Sequence, residues 1–267
     1  TPLYSSAASD VYKRQTEYLG YQLSDGPAPP TPQHPGDHVG VHRQKDGKNY
    51  IGLSPVVGRV NGGTLRALAD LMEQYGTSRL RTTPYQKVVV LDIDSSASDE
   101  FVEKARELGL EATPSVFRRD TMACTGLEFC KLAIVETKAT AARIVDDLEK
   151  RLADVREELP EQLTLYINGC PNSCARIQTA DIGLKGQLIP DGHGGQTSGF
   201  QVHLGGGLAD HHNDGAGGLG RTVRGLKVAS DDVAEYVDRV VRRYISSHSS
   251  GESFAQWAHH ATEEELV

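Results

Sequence analysis

The chain has 267 residues, of which 38% are apolar and 24% are charged. A chain of this length buries about three-quarters of the surface that it exposes when unfolded, so we expect a globular protein that folds without a disulfide framework. Its 36 acidic residues outnumber its 28 basic ones and give a net charge of −8, whereas proteins that bind nucleic acids are usually basic. No apolar run approaches the roughly 20 residues that span a bilayer. We therefore expect no nucleic-acid partner and no membrane span.

The beginning of the chain shows neither a helical nor a strand period. The chain opens with Thr1 rather than methionine, and no basic-then-apolar secretory leader follows. Five prolines lie within residues 26–36, a composition that favours an extended, solvated linker. We expect residues 1–36 to be a disordered, non-native or linker segment. A chain without a leader is expected in the cytoplasm.

Residues 37–110 predict a compact α+β unit. In chain order, the pattern indicates a strand at 39–41, a strand at 50–53, a helix capped by Thr64, a strand at 87–93 and a helix over 98–108. The strand at 87–93 is rich in β-branched residues, which favours burial in a sheet. Gly76 and Gly109 follow the two helices and are typical helix stops.

A second unit is predicted over residues 111–247, followed by a C-terminal tail over 248–267. The pattern indicates a helix over 140–159, a strand over 163–168, a strand over 199–206 and a helix over 231–246 capped by Ser230. In the strand over 163–168, apolar and polar residues alternate, which predicts one buried and one solvated face.

The four cysteines of the chain form two pairs. Five residues separate Cys124 from Cys130 and three separate Cys170 from Cys174, with 39 residues between the pairs. Four thiolates can hold an iron–sulfur cluster or a tetrahedral metal ion. The five-residue spacing is wider than structural zinc sites usually have. Disulfides do not persist in the cytosol, and unrelated buried thiols are a further alternative.

The residues around the second pair favour a cluster. Gly169, Ser173 and Ala175 are small, so backbone amides can approach the sulfurs of a cluster and tune its potential. Pro171 removes one N–H group and fixes the backbone angle φ.

At these residues the sequence resembles the ferredoxin-dependent sulfite and nitrite reductases that carry sirohaem (siroheme). The resemblance spans residues 37–257. The amino-acid sequence of the C-terminal half is most similar to the actinobacterial branch of the sulfite reductases. It is carried by the segments 52–63 (GLSPVVGRVNGG), 80–86 (LRTTPYQ), 121–130 (TMACTGLEFC), 168–175 (NGCPNSCA), 180–186 (ADIGLKG), 191–195 (DGHGG) and 200–206 (FQVHLGG).

The resemblance implies a fold, two cofactors and an activity. The fold is α+β, with a ferredoxin-like half-domain over 37–110 followed by a mixed α/β domain over 111–247 that binds sirohaem and a 4Fe–4S cluster. The cluster ligands would be Cys124, Cys130, Cys170 and Cys174, and Cys174 would also be the axial ligand of the sirohaem iron. The implied activity is the six-electron reduction of sulfite to sulfide by reduced ferredoxin. The alternative substrate is nitrite, which such enzymes reduce to ammonia.

The carboxylates of sirohaem require basic and amide donors. By their proximity to the family motifs, the candidates are Asn172, Arg59, Arg81, Gln86, Arg118, Arg119 and Arg176. Asn172, inside the second cysteine loop, is the best of them.

The catalytic and anion-binding basic residues of this family lie mostly in the N-terminal half of the full enzyme, and no segment here matches that half. We therefore expect this chain to be a C-terminal portion that is inactive alone, while the full-length enzyme is a monomer. Two alternatives stay open. One is a non-catalytic zinc or iron–sulfur module, and the other is an NADPH-dependent reductase subunit with a flavoprotein partner.

Overall fold

The computed structural model describes residues 14–15, 17–22, 36–207, 218–223 and 225–267. The chain divides into two compact units, residues 1–33 and 34–267. The described residues of the first unit are exposed. The expected linker over 1–36 falls mostly outside the described residues.

The first sheet of the second unit has four antiparallel strands in the order β1-β2-β4-β3. The strands are β1 Gly40–Arg43, β2 Asn49–Leu53, β3 Leu80–Thr82 and β4 Val88–Ile93. Two helices, α1 Gly62–Gln74 and α2 Ser98–Glu107, pack on it. Fully buried Ile51, Leu68 and Phe101 form the centre of the shared core. This arrangement confirms the α+β fold predicted for the first part of the chain.

The start of α1 differs from the prediction. The helix begins at Gly62, and its N-cap is Asn61, whose Oδ1 accepts a hydrogen bond from the Thr64 N–H at 2.9 Å. The prediction that Thr64 caps the helix is wrong, because Asn61, three residues before the predicted cap, already satisfies a free amide of the first turn.

The second sheet is mixed and has five strands in the order β5-β6-β7-β8-β9. The first three strands are parallel, and β7, β8 and β9 are antiparallel to one another. The strands are β5 Thr121–Ala123, β6 Leu165–Asn168, β7 Ile182–Pro190, β8 Gln196–Leu204 and β9 Lys227–Ala229. This is the mixed α/β architecture expected for the second part of the chain.

Both faces of β6 are buried, so the prediction of one solvated face is wrong. Leu165 and Ile167 belong to the main core. On the other face, Tyr166 packs with Met122 and the segment 175–180. Parallel strands in the middle of a sheet are commonly covered on both sides, and here a loop provides the second cover.

The helices of the second part are α3 Val116–Asp120, α4 Lys138–Arg151, α5 Val233–Ser247, α6 Phe254–His260 and α7 Glu263–Leu266. The helix predicted over 140–159 is shorter, because the chain tightens into 3-10 turns at Ala153–Glu158. Ser230 does not cap α5, which starts three residues later after Asp232. None of the helices that the structure describes has both the length and the apolar character to cross a bilayer.

The last residues of the chain fold back onto the main core. Trp257 is only 1% exposed, and its Nε1–H donates to the Ser247 Oγ at 2.9 Å. The Tyr236 hydroxyl donates to the Leu266 carbonyl at 2.8 Å. Helices α6 and α7 therefore contribute to the stability of the sheet that carries the cysteines.

Candidate metal centre

Two parallel strands bring the cysteine pairs together. Ala123 at the end of β5 is the register partner of Ile167 in β6. Cys124 directly follows β5, and Cys170 lies two residues beyond the end of β6. Because the carboxyl ends of parallel strands meet at one edge of a sheet, the two cysteines lie at the same edge.

Gly169 connects the two cysteine loops directly. Its backbone N–H donates to the Cys124 Sγ at 3.2 Å. Its carbonyl accepts from the Ile134 N–H at 2.7 Å and from the Val135 N–H at 3.3 Å. A Cβ at this position would lie 2.8 Å from the Val135 carbonyl oxygen, so only glycine fits without a shift. The first cysteine loop is therefore folded around the backbone that precedes Cys170.

Cys130 lies inside this first loop. Its N–H donates to the Gly126 carbonyl at 3.0 Å, and its own carbonyl accepts from the Ala133 N–H at 3.2 Å. Gly126 has φ +72° and packs closely against Thr137. These turns place Cys130 shortly before the segment that bonds to Gly169.

The loop with the second pair is held by Asn168, which is completely buried. The Asn168 Oδ1 accepts from the Ala175 N–H at 2.7 Å, and its Nδ2 donates to the Cys170 carbonyl at 3.4 Å. Ser173 adopts the left-handed conformation with φ 58°. Within this tight loop Cys170 is buried, whereas Cys174 is exposed. The loop thus presents one sulfur inward and one at the surface.

The donor set fits an iron–sulfur cluster. All four cysteines are free thiols, so the disulfide alternative has no support. In the described part of the chain, no three Cys, His, Asp or Glu side chains lie close enough to share a single metal ion. In a cubane, each thiolate binds a separate iron, so its ligands stand further apart than around one zinc ion. Backbone N–H groups that donate to sulfur, as Gly169 does, are typical of cluster sites.

Hydrogen bonds join Cys124 to Thr137, the preceding Ala123 to Gln86, and Gln86 to Lys138. The Thr137 Oγ1 donates to the Cys124 carbonyl at 2.8 Å and lies 3.7 Å from its sulfur. The Lys138 Nζ donates to the Val57 carbonyl at 2.5 Å and to the Gln86 Oε1 at 3.0 Å. Gln86 in turn donates through Nε2 to the Ala123 carbonyl at 2.7 Å.

The side chain of Lys138 is an ionisable group close to Cys124. Burial lowers the pKa of Lys138 to about 8, while the nearby Cys124 raises it and Arg59 lowers it. The side chain therefore carries its proton at neutral pH. The sequence predicts Gln86 as a sirohaem contact, whereas here it bonds to Ala123 and Lys138; Thr137 and Lys138 were missed. The signal that could have found Lys138 is a basic residue at the first position of a helix, where basic residues are disfavoured.

Three of the arginines named as sirohaem contacts bond within the chain. Arg119 binds Asp37 through two hydrogen bonds of 2.7 and 2.9 Å. Arg118 donates to the Gly109 carbonyl at 2.5 Å, and Arg59 pairs with the Glu128 carboxylate. Their donors are directed to internal partners.

The remaining candidates differ in position. Arg81, on β3, and Asn172, in the second cysteine loop, are exposed. The Arg176 guanidinium lies over two aromatic rings, 5.1 Å from the centre of Tyr85 and 5.6 Å from that of Tyr166. Arg176 also has φ 55°, so it closes the cysteine loop with a left-handed turn and anchors it to the first part of the chain.

Comparison with known proteins identifies the two parts of the chain. Residues 42–108 match the family model of the nitrite/sulfite reductase ferredoxin-like half domain, and residues 116–266 match that of the nitrite and sulphite reductase 4Fe-4S domain. The chain belongs to the nitrite and sulfite reductase family. The fold and the 4Fe–4S domain that the sequence resemblance implied are thereby confirmed.

Individual relatives give the degree of similarity. The chain is 52% identical over 252 residues to a sulfite reductase (ferredoxin) of Mycobacterium tuberculosis, covering 94% of this chain and 44% of that protein. It is 33% identical to an assimilatory ferredoxin-dependent nitrite reductase of Haloferax mediterranei, covering 94% of this chain and 40% of that protein. The structure of the Mycobacterium tuberculosis NirA protein superposes with a TM-score of 0.87 at 52% identity, covering 95% of this chain and 45% of that one. The chain thus spans less than half the length of these relatives.

Proposed function

We propose that this chain is the part of a ferredoxin-dependent sulfite reductase whose four thiolates would hold a 4Fe–4S cluster and whose Cys174 would also bind the sirohaem iron. The ligands are Cys124, Cys130, Cys170 and Cys174. The observation that carries this proposal is the hydrogen bond from Gly169 to the Cys124 sulfur, which joins two cysteine pairs that are distant in sequence. The 4Fe–4S domain match and the mycobacterial relative support it.

The chain's own residues have distinct parts in this proposal. When bound, the cluster and sirohaem would supply one-electron transfer to the substrate anion. Cys174 is the cysteine of the four that is exposed, which suits a sulfur shared with a second cofactor. We propose that Asn172, exposed on the same loop, donates to a sirohaem carboxylate. Asn168 fixes the loop from inside, so the two sulfurs keep their directions.

Several apolar side chains in or beside the first cysteine loop are exposed. Leu127, Phe129 and Leu132 are more than half exposed in or beside the first cysteine loop, and Phe129 is 75% exposed. Exposed apolar side chains at a site of this kind suit a surface that is covered in the full assembly. We propose that sirohaem and the remaining part of the full-length protein cover it.

Sulfite is the proposed substrate, reduced ferredoxin the proposed electron donor and the cytoplasm the proposed location. The identity of 52% to a sulfite reductase, against 33% to a nitrite reductase, favours sulfite over nitrite. Four free thiols suit a reducing compartment.

The test uses the full-length protein that contains this chain, purified without oxygen. We expect bound iron, acid-labile sulfide and sirohaem, and formation of sulfide from sulfite with reduced ferredoxin. The variant Cys174→Ser should lose sirohaem binding and sulfide formation. A colourless protein that holds zinc, or one that forms ammonia from nitrite but no sulfide from sulfite, would contradict the proposal.

A further inference from the structure

Lys138 occupies a position that its helix does not favour. It is the first residue of α4, which runs from Lys138 to Arg151. The N-terminal end of a helix carries a partial positive charge, so a basic side chain there is disfavoured. The side chain is also partly buried rather than directed into solvent. A cation that is kept in such a place needs a stabilising partner outside the helix.

The two groups that bind its ammonium come from residues with unusual backbone angles. The Nζ donates to the Val57 carbonyl at 2.5 Å and to the Gln86 Oε1 at 3.0 Å. Val57 has φ 47° and Gln86 has φ 59°. Both lie in the left-handed region of backbone conformation, which residues other than glycine rarely adopt. Strained residues of this kind cluster at functional sites, and here both contact the same ammonium.

Both acceptors are neutral oxygens, so they fix the position of the ammonium without cancelling its charge. The nearby group that raises the pKa of Lys138 is Cys124. Two links tie the ammonium to this cysteine. Gln86 donates to the carbonyl of Ala123, the residue before Cys124, and Thr137, the residue before Lys138, donates to the Cys124 carbonyl.

We propose that Lys138 is a positioning residue that sets the reduction potential of the cluster through its charge. The inference rests on the proposed function, since it requires a cluster on Cys124. One-electron reduction adds one negative charge to the cluster and its thiolates. A fixed positive charge in a partly buried site is weakly screened, so it favours the reduced form. Loss of this charge should therefore move the potential to more negative values.

The test is a redox titration of this chain after anaerobic reconstitution with iron and sulfide, followed by the electron paramagnetic resonance signal of the reduced cluster. In Lys138→Gln, we expect the ratio of reduced to oxidised cluster at a fixed potential to fall about tenfold, which equals about 59 mV for a one-electron couple. Lys138→Arg, which keeps the charge, should stay close to the unsubstituted chain. Lys138→Met is a second neutral variant.

The matched control is Lys131→Gln. Lys131 directly follows Cys130 but is exposed, so water screens its charge and its loss should change the potential little. Equal potentials in Lys138→Gln, Lys138→Arg and the unsubstituted chain would overturn the inference, as would an equal shift in Lys131→Gln. If both neutral variants fail to take up a cluster while Lys138→Arg does, the role of the lysine is assembly and the inference is wrong. Absence of a cluster from the unsubstituted chain would instead refute the proposed function.

Discussion

The backbone N–H of Gly169 donates a hydrogen bond to the Sγ of Cys124 at 3.2 Å. The same glycine accepts two hydrogen bonds from the end of the first cysteine loop, at Ile134 and Val135. A single backbone position thus connects the sulfur of one pair to the strand that leads into the other. The geometry of the two pairs depends on the close packing at this residue.

Gly169→Ala should destabilise the chain. The added Cβ would lie 2.8 Å from the Val135 carbonyl oxygen, a backbone atom, so one of the two loops has to move. We expect the free energy of unfolding to fall by about 1–3 kcal/mol, measured by urea denaturation. The matched control is Gly62→Ala, where no heavy atom lies within 4 Å of the added Cβ. Equal stability of the Gly169→Ala chain and the unsubstituted chain would contradict the role assigned to this contact.

Arg176 and Tyr85 should be energetically coupled, because the guanidinium lies 5.1 Å from the ring centre. A double-mutant cycle with Arg176→Met and Tyr85→Leu should give a coupling of about 0.5–1 kcal/mol in the free energy of unfolding. The measurement is urea denaturation of the four chains under one buffer. Strict additivity of the two substitutions would show that the ring does not hold the cysteine loop.

The sequence predicted the two cysteine pairs as one site, because their spacing and flanking residues are local features. It also predicted most strands of the first sheet and both helices that pack on it. It missed Lys138 and Thr137, since their importance arises where the start of α4 meets the end of β5, a tertiary contact. The solvated face predicted for β6 was wrong for the same reason. Tyr166 packs against the loop at residues 175–180. The alternation of apolar and polar residues along a strand does not show whether a loop from elsewhere in the chain covers its second face.

Stability should depend on pH through Asp120. Burial raises the pKa of its carboxyl to about 7, although the Leu163 N–H and the charges of Arg119 and Lys87 lower it and Asp37 raises it. An acid with a higher pKa in the folded chain favours folding when it is protonated. Its contribution is complete below the unfolded value, about 4, and is lost as the pH rises through about 7.

The variant Asp120→Asn separates this effect from other titrations. It stays neutral, and its Oδ1 can still accept from the Leu163 N–H, which bonds to the aspartate at 3.0 Å. Between pH 5 and pH 8, we expect the free energy of unfolding to fall more in the unsubstituted chain than in the variant, by about 3 kcal/mol as an order of magnitude. Identical pH profiles of the two chains would contradict a raised pKa.

The thiols should differ in reactivity before a cluster is bound. Cys174 is exposed and Cys170 is buried, so iodoacetamide should label Cys174 first and Cys170 last. Mass spectrometry of peptides after short labelling times measures the order. After anaerobic reconstitution, all four should be protected. Continued labelling of Cys174 at its original rate in the reconstituted chain would exclude it as a cluster ligand.

The amount of iron and acid-labile sulfide that binds to this chain on anaerobic reconstitution decides whether the two cysteine pairs form one site. We expect about four iron atoms and about four sulfides per chain, and loss of both in Cys124→Ser and in Cys170→Ser, because each pair supplies half of the ligands. A chain that binds no iron, or that binds zinc through one pair while the other remains free, would contradict a cluster shared by the two pairs.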